Sequence, residues 1–207
     1  LAALDAPPSS GDVCQSPDPL PADAGVLSGT TVGFTNNYFG AGAGCSTAAG
    51  GPDRVYSLDI PAGLMATVTA TPVIPADGGA AIDTSLNLVA SPAATCDAAP
   101  RVCVASGNNG ASGQPDTARR VNSTASTQTV FVIVDSAAAA GGAYSLAATL
   151  SVPVAGDVCE SAGTPFAANT TLTAQTTQGF VDNYTFAGPG CGTSTAPSSR
   201  PRPSRPR

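Results

Sequence analysis

Apolar and polar residues alternate with a period of two over short stretches through the first three quarters of this 207-residue chain. The stretches are Val26 to Phe34, Arg54 to Ile60, Leu64 to Thr71, Ile82 to Ala90, Arg101 to Ala105, Ala118 to Ser123, Thr129 to Asp135 and Ala143 to Val152. Each is rich in Val, Thr, Ile or aromatics and is bounded by turn formers such as Pro61-Ala62-Gly63, Asp77-Gly78-Gly79, Gly107-Asn108-Asn109-Gly110 or Ala140-Gly141-Gly142. This pattern predicts about eight strands. No stretch sustains a helical period with caps at its ends. From Val130 to Val134 both strand faces are apolar, so that strand is expected at the centre of a sheet, buried on both sides. The fold class expected from these elements is all-β, an antiparallel β-sandwich of jelly-roll type.

An internal repeat organises the chain. Gly11-Asp12-Val13-Cys14 recurs 145 residues later as Gly156-Asp157-Val158-Cys159. Gly33-Phe34, Asn37-Tyr38 and Cys45 recur at an offset of 146 as Gly179-Phe180, Asn183-Tyr184 and Cys191. After Cys45 the first copy continues into the strand-rich body, whereas Cys191 is followed by an Arg- and Pro-rich stretch. The expected organisation is a linker over 1–10, a sandwich domain over 11–153, the opening segment of an incomplete second copy over 154–195, and a disordered tail over 196–207.

Composition narrows the chemistry. The sequence has no Lys, His or Trp: its eight positive charges are all Arg, and thirteen of its fourteen acids are Asp. A Ser hydrolase triad needs an imidazole or amine as base, and mononuclear zinc enzymes usually need His. Four of the arginines fall in the last eight residues, so residues 1–199 carry four positive and fourteen negative charges, a net −10. A body of that sign repels phosphate backbones, so nucleic acid is not an expected partner. No apolar run approaches the roughly twenty residues of a membrane-spanning helix, and no membrane span is expected.

Six Cys without His and without a Cys-x-x-Cys spacing read as disulfides, which implies an oxidising compartment. Because each repeat copy carries two Cys, the expected pairs are Cys14 with Cys45 and Cys159 with Cys191, leaving Cys96 with Cys103; pairing across the copies is the alternative. Any secretory signal would lie upstream of Leu1.

Four stretches resemble the bacterial pre-peptidase C-terminal domain, a secreted β-sandwich module. They are Asp53-Arg54-Val55-Tyr56-Ser57-Leu58 before Ile60-Pro61-Ala62-Gly63; Ile82-Asp83-Thr84-Ser85-Leu86-Asn87-Leu88; Val104 to Gly110; and Val130 to Val134 with Gly142-Ala143-Tyr144-Ser145-Leu146. The resemblance covers about residues 50–150. The acidic pairs common in the family are thinned here, and the Cys-bearing segment from Gly11 to Cys45 is not a general family feature. The resemblance implies a non-catalytic accessory or cell-surface module, binding calcium in some relatives and substrate in collagenases.

Calcium takes six to eight oxygen ligands, and Asp53, Asp83, Asn108 and Asn109 fall where such ligands gather at one end of a sandwich. The competing reading is that the Asn-Asn-Gly and Asp-Gly-Gly clusters only supply turns. Asp83-Thr84-Ser85 is faintly similar to an aspartic-protease loop, but it lacks the usual third Gly and a second copy, and it also begins a strand. Arg119 and Arg120, adjacent in a strand, point to opposite faces and read as surface residues. Tyr38, Tyr56 and Tyr144 read as structural. Asn122-Ser123-Thr124 matches a glycosylation acceptor only in form.

The expected role is a secreted or cell-surface module without enzyme activity, serving adhesion, spacing or substrate targeting within a larger protein. The alternatives are a calcium-dependent binder of an extracellular polymer such as collagen or glycan, and a self-assembling protein using strand exchange. An extracellular polymer or a covalently attached domain is the expected kind of partner.

Overall fold

The computed structural model describes residues 9–38, 42–46, 50–98, 100–108, 110–156, 167–171 and 173. The chain divides into two compact units, Leu1–Pro153 and Val154–Arg207. Cys159, Cys191 and the Arg-rich tail lie outside the described residues.

Among the described residues the first unit holds nine strands: β1 (Asp18–Pro19), β2 (Val26–Thr30), β3 (Asp53–Ile60), β4 (Met65–Pro72), β5 (Thr84–Ala90), β6 (Ala105–Gly107), β7 (Asp116–Val121), β8 (Gln128–Ser136) and β9 (Ala143–Ser151). They form a five-stranded sheet in the order β1-β3-β8-β5-β6 and a four-stranded sheet in the order β2-β9-β4-β7. From β3 to β9 the chain changes sheet at every connection except β5 to β6. Strands adjacent in a sheet are therefore mostly distant in sequence, as the two-layer wrap of a sandwich requires.

Alternation decides the layers. On β3, Tyr56, Leu58 and Ile60 point into the core between the sheets, where they meet Val68, Leu86, Leu88, Val132 and Leu146. Each fully buried Val, Leu or Ile contributes about 1.5–3 kcal/mol relative to exposure. Val55, on the opposite face of β3, joins Val89, Phe131 and Ile133 in a second cluster with Cys14, Tyr38, Cys96 and Cys103. The central strand β8 serves both clusters, Val130, Val132 and Val134 inward and Phe131 and Ile133 outward. This is the two-sided burial that its unbroken apolar run predicted.

The outer face of the five-stranded sheet is thus roofed by loops, and the disulfides belong to that roof. Cys14 bonds Cys96 and Cys45 bonds Cys103. The four cysteines are paired as disulfides, but the expected pairing of Cys14 with Cys45 and Cys96 with Cys103 is corrected. The reason is tertiary: the segment before β3 lies over the sheet beside the loop that follows β5, with Ala43 bridging Val102 and the Cys103 N–H donating to the Ala43 carbonyl at 2.9 Å. Each cysteine of the N-terminal segment therefore faces one from the body.

Element boundaries also move, and one short strand is added. Residues Arg101 to Ala105 are not one strand: Val102 makes an isolated bridge, and β6 runs from Ala105 to Gly107. The two-residue β1, which pairs parallel to β3 through Asp18 opposite Tyr56, is too short for an alternation pattern to register. No helix among the described residues is long and apolar enough to cross a membrane.

Candidate functional site

One row of the five-stranded sheet departs from the apolar character around it. Asp53 on β3 stands opposite Asp135 on β8, and Asp135 stands opposite Ser85 on β5. Directly opposed residues share a face, with Cβ atoms about 4.5–5.5 Å apart. The next row on that same outer face is Val55, Ile133 and Asn87, so the polar row continues the surface that the disulfide roof covers. Asp53, Asp135 and Ser85 are all fully buried, at 0% exposure.

Local sequence places the roof. Residues shared by the two repeat copies take part in the bonds that build it. Asp12 accepts from the Thr35 N–H at 2.8 Å, Asn37 Nδ2 donates to the Asp12 carbonyl at 2.9 Å, and the Cys14 N–H donates to the Tyr38 hydroxyl at 2.8 Å. Asp53 ties this segment to the sheet: its Oδ2 accepts from the Asn37 and Tyr38 N–H groups, both at 2.9 Å. Arg101 closes the layer from the other side, donating to the Tyr38 and Cys96 carbonyls at 3.0 and 2.7 Å with its guanidinium 4.8 Å from the Tyr38 ring. Asn87 holds Ser46 through the Ser46 N–H at 2.8 Å.

The remaining polar atoms of the row lack a well-formed hydrogen bond among the described residues. They are Asp53 Oδ1, both carboxylate oxygens of Asp135, Ser85 Oγ and, on the segment whose neighbouring residues bond Asp53, Asn36 Oδ1. Buried polar atoms almost always find partners, and an unmatched carboxylate is among the most costly to leave. Burial pushes the Asp53 carboxyl up to about 6 despite its two N–H donors. Burial, followed by the charge of Asp53, pushes Asp135 up to about 8 against the opposing pull of the Ser136 N–H. Two like charges this close and this dry resist ionising together.

Of the four residues named from the sequence as calcium ligands, Asp53 is grouped with Asp135. Asp83 lies just before β5, its carbonyl accepting from the Ala137 N–H at 3.0 Å, and its carboxyl is raised by burial and by the charge of Asp116. Asn108 is exposed past β6, and Asn109 lies outside the described residues. Asp116 is the residue that holds the adjoining loop, accepting from Gly110 N–H at 2.9 Å and from Thr84 Oγ1 at 2.8 Å. Among the described residues, no group of three or more His, Cys, Asp or Glu converges as a metal site.

Sequence reasoning passed over Asp135, Ser85 and Asn36. A signal existed for the first: Asp135 ends an apolar run buried on both faces, where an acid has no solvent to face. Nothing local marked Ser85 or Asn36: strand register sets Ser85 opposite Asp135, and the segment before β3, which bonds Asp53, carries Asn36.

No family model, curated protein or solved structure matches the chain.

Proposed function

We propose that this chain is a non-catalytic extracellular module that spaces or targets the protein carrying it. One observation supports this most: the N-terminal segment is cross-linked to the body by two overlapping disulfides, spanning 82 and 58 residues. Disulfides persist in oxidising surroundings, and closing loops of that length removes much of the entropy of the unfolded chain. A sandwich stapled in this way suits a protein exposed to proteases without chaperones. The resemblance of residues 50–150 to the pre-peptidase C-terminal domain supports the same role, as does a composition without Lys or His.

The test is co-sedimentation of the oxidised chain with insoluble collagen, cellulose, chitin and peptidoglycan, beside a broad peptide and ester hydrolysis panel. Binding to one polymer supports targeting. Binding to none, with slow proteolysis that reduction accelerates, supports spacing. Hydrolysis that is lost in Asp83→Asn overturns the reading.

A further inference from the structure

The unpartnered oxygens beneath the disulfide roof carry an inference that does not depend on the role proposed above. We propose that Asp53 and Asp135, with Asn36 and Ser85 beside them, form a site for a hard divalent cation of the calcium class.

Three observations converge. The first is chemical: Asp53 Oδ1, Asp135 Oδ1 and Oδ2, Ser85 Oγ and Asn36 Oδ1 are all buried oxygens, and none has a well-formed hydrogen bond among the described residues, the Ser136 N–H lying only near enough to Asp135 to favour its ionised form. Calcium is bound by this set of carboxylate, amide and hydroxyl oxygens, and transition metals that favour nitrogen or sulfur are not. The second is Ser85 itself, whose side chain is fully buried opposite Asp135 and adds a neutral oxygen without adding charge. A serine packed only for shape would bond a neighbouring carbonyl, as Ser and Thr hydroxyls do elsewhere in this chain, for example Thr124 Oγ1 on the Ser126 carbonyl at 2.9 Å.

The third lies in the repeat. At the offset of 146 that aligns Gly33-Phe34 with Gly179-Phe180, Asn36 corresponds to Asp182. Asn and Asp share a side-chain oxygen at the same reach and differ in hydrogen-bond donors and charge. Their interchange retains a cation ligand, whereas it would disturb an amide that donates.

The surrounding charges fit a cation held at this point. Asp12 lies near enough to Asp53 to oppose its ionisation, and Arg101 favours the ionised form of both Asp53 and Asp135. The Arg101 guanidinium, however, donates to the Tyr38 and Cys96 carbonyls, which leaves the carboxylate pair without a bonded counter-charge. The ion would also hold the roof down, because Asn36 lies between Thr35, whose carbonyl accepts from the Asp53 N–H at 3.2 Å, and Asn37. Asp53 would be ligand on one oxygen and anchor on the other.

The experiment is thermal unfolding of the full oxidised chain after chelator treatment, at pH 8 and pH 5, with Ca2+ or Mg2+ added to 5 mM and NaCl matched for ionic strength. The expected result is a rise in Tm of about 5–10 °C with one of the two divalent ions at pH 8. It should shrink at pH 5, where protons compete for the same oxygens, and vanish in Asp135→Asn. Without added cation, Asp135→Asn should melt higher than the parent at pH 8, since it removes a buried charge. The proposal is overturned by no shift with either ion at pH 8, by a shift equally large at pH 5, or by a shift undiminished in Asp135→Asn. Should that variant fail to fold, the comparison of the two pH values in the parent chain decides.

Discussion

The hydroxyls of Tyr56 and Tyr144 meet at 2.8 Å inside the core and hydrogen-bond the two sheets to each other. Tyr56 is carried by β3 of the five-stranded sheet and Tyr144 by β9 of the four-stranded one. Gly29 on β2 makes room for the pair: a Cβ there would lie 2.5 Å from the Tyr144 ring and 2.8 Å from the Tyr56 oxygen.

Removing one hydroxyl strands the other. Tyr56→Phe is expected to cost about 1–3 kcal/mol, and Tyr56→Phe with Tyr144→Phe less than the sum of the two single changes. Gly29→Ala should cost about 1–3 kcal/mol through overpacking against the two rings. Urea unfolding of the four variants measures all of this. Additive single changes would show that the two hydroxyls do not act as a pair.

The disulfides make a prediction about mapping before one about stability. Non-reducing digestion should yield peptides linking Cys14 to Cys96 and Cys45 to Cys103. Replacing Cys14 and Cys96 together by Ser should lower stability by about 2–4 kcal/mol. Recovery of a Cys14–Cys45 peptide from the native protein would contradict the roof as described.

Asn122 is fully buried and satisfied on both ends of its amide. Its Nδ2 donates to the Ile60 and Ser126 carbonyls, both at 2.7 Å, and its Oδ1 accepts from the Thr124 N–H at 3.0 Å. Asn122→Ala leaves those groups without partners and should cost about 2–4 kcal/mol by chemical denaturation. A change under half a kilocalorie would show that the turn re-forms with water. The glycosylation-like triplet at this position is a structural turn, its amide committed to the fold.

Stability should depend on pH in an unusual direction. Asp53 and Asp135 have folded-state values of about 6 and about 8, above the ordinary 3.8, so the native state holds more protons than the unfolded chain between them. Their contribution is full below about pH 4 and is lost as pH rises, first through about 6 and then through about 8. Asp18 runs the other way: although burial opposes it, the Ser10 hydroxyl and the Arg54 guanidinium hold its carboxyl below the usual value, and its contribution is lost as pH falls below the ordinary range. In chelator, urea midpoints should therefore fall from pH 5 to pH 8, and Asp135→Asn should flatten that fall above pH 6. Midpoints that rise over the same range would show that the pair is already compensated.

Much of this architecture was legible in the order of residues. Period-two alternation located most of the strands, because a strand half buried in a sandwich must present alternate side chains to core and exterior. The continuous apolar run of Val130 to Val134 placed β8 at the centre for the same reason, and six cysteines without histidine indicated disulfides. These properties are local, and composition and spacing record them.

Partnership across the fold was not legible. Which cysteine meets which depends on how the segment before β3 lies over the sheet, and the repeat pointed to pairs within a copy where the roof joins segment to body. The polar row depends on register: Asp53, Asp135 and Ser85 are scattered along the chain, and only the pairing of β3, β8 and β5 sets them side by side. Spacing suggested Asp83 and Asn108 as companions of Asp53, whereas strand order supplies Asp135. Alternation fixes the face on which a residue lies, because that is a property of its own backbone; its neighbours on that face are decided by contacts between distant strands, which only the folded chain brings together.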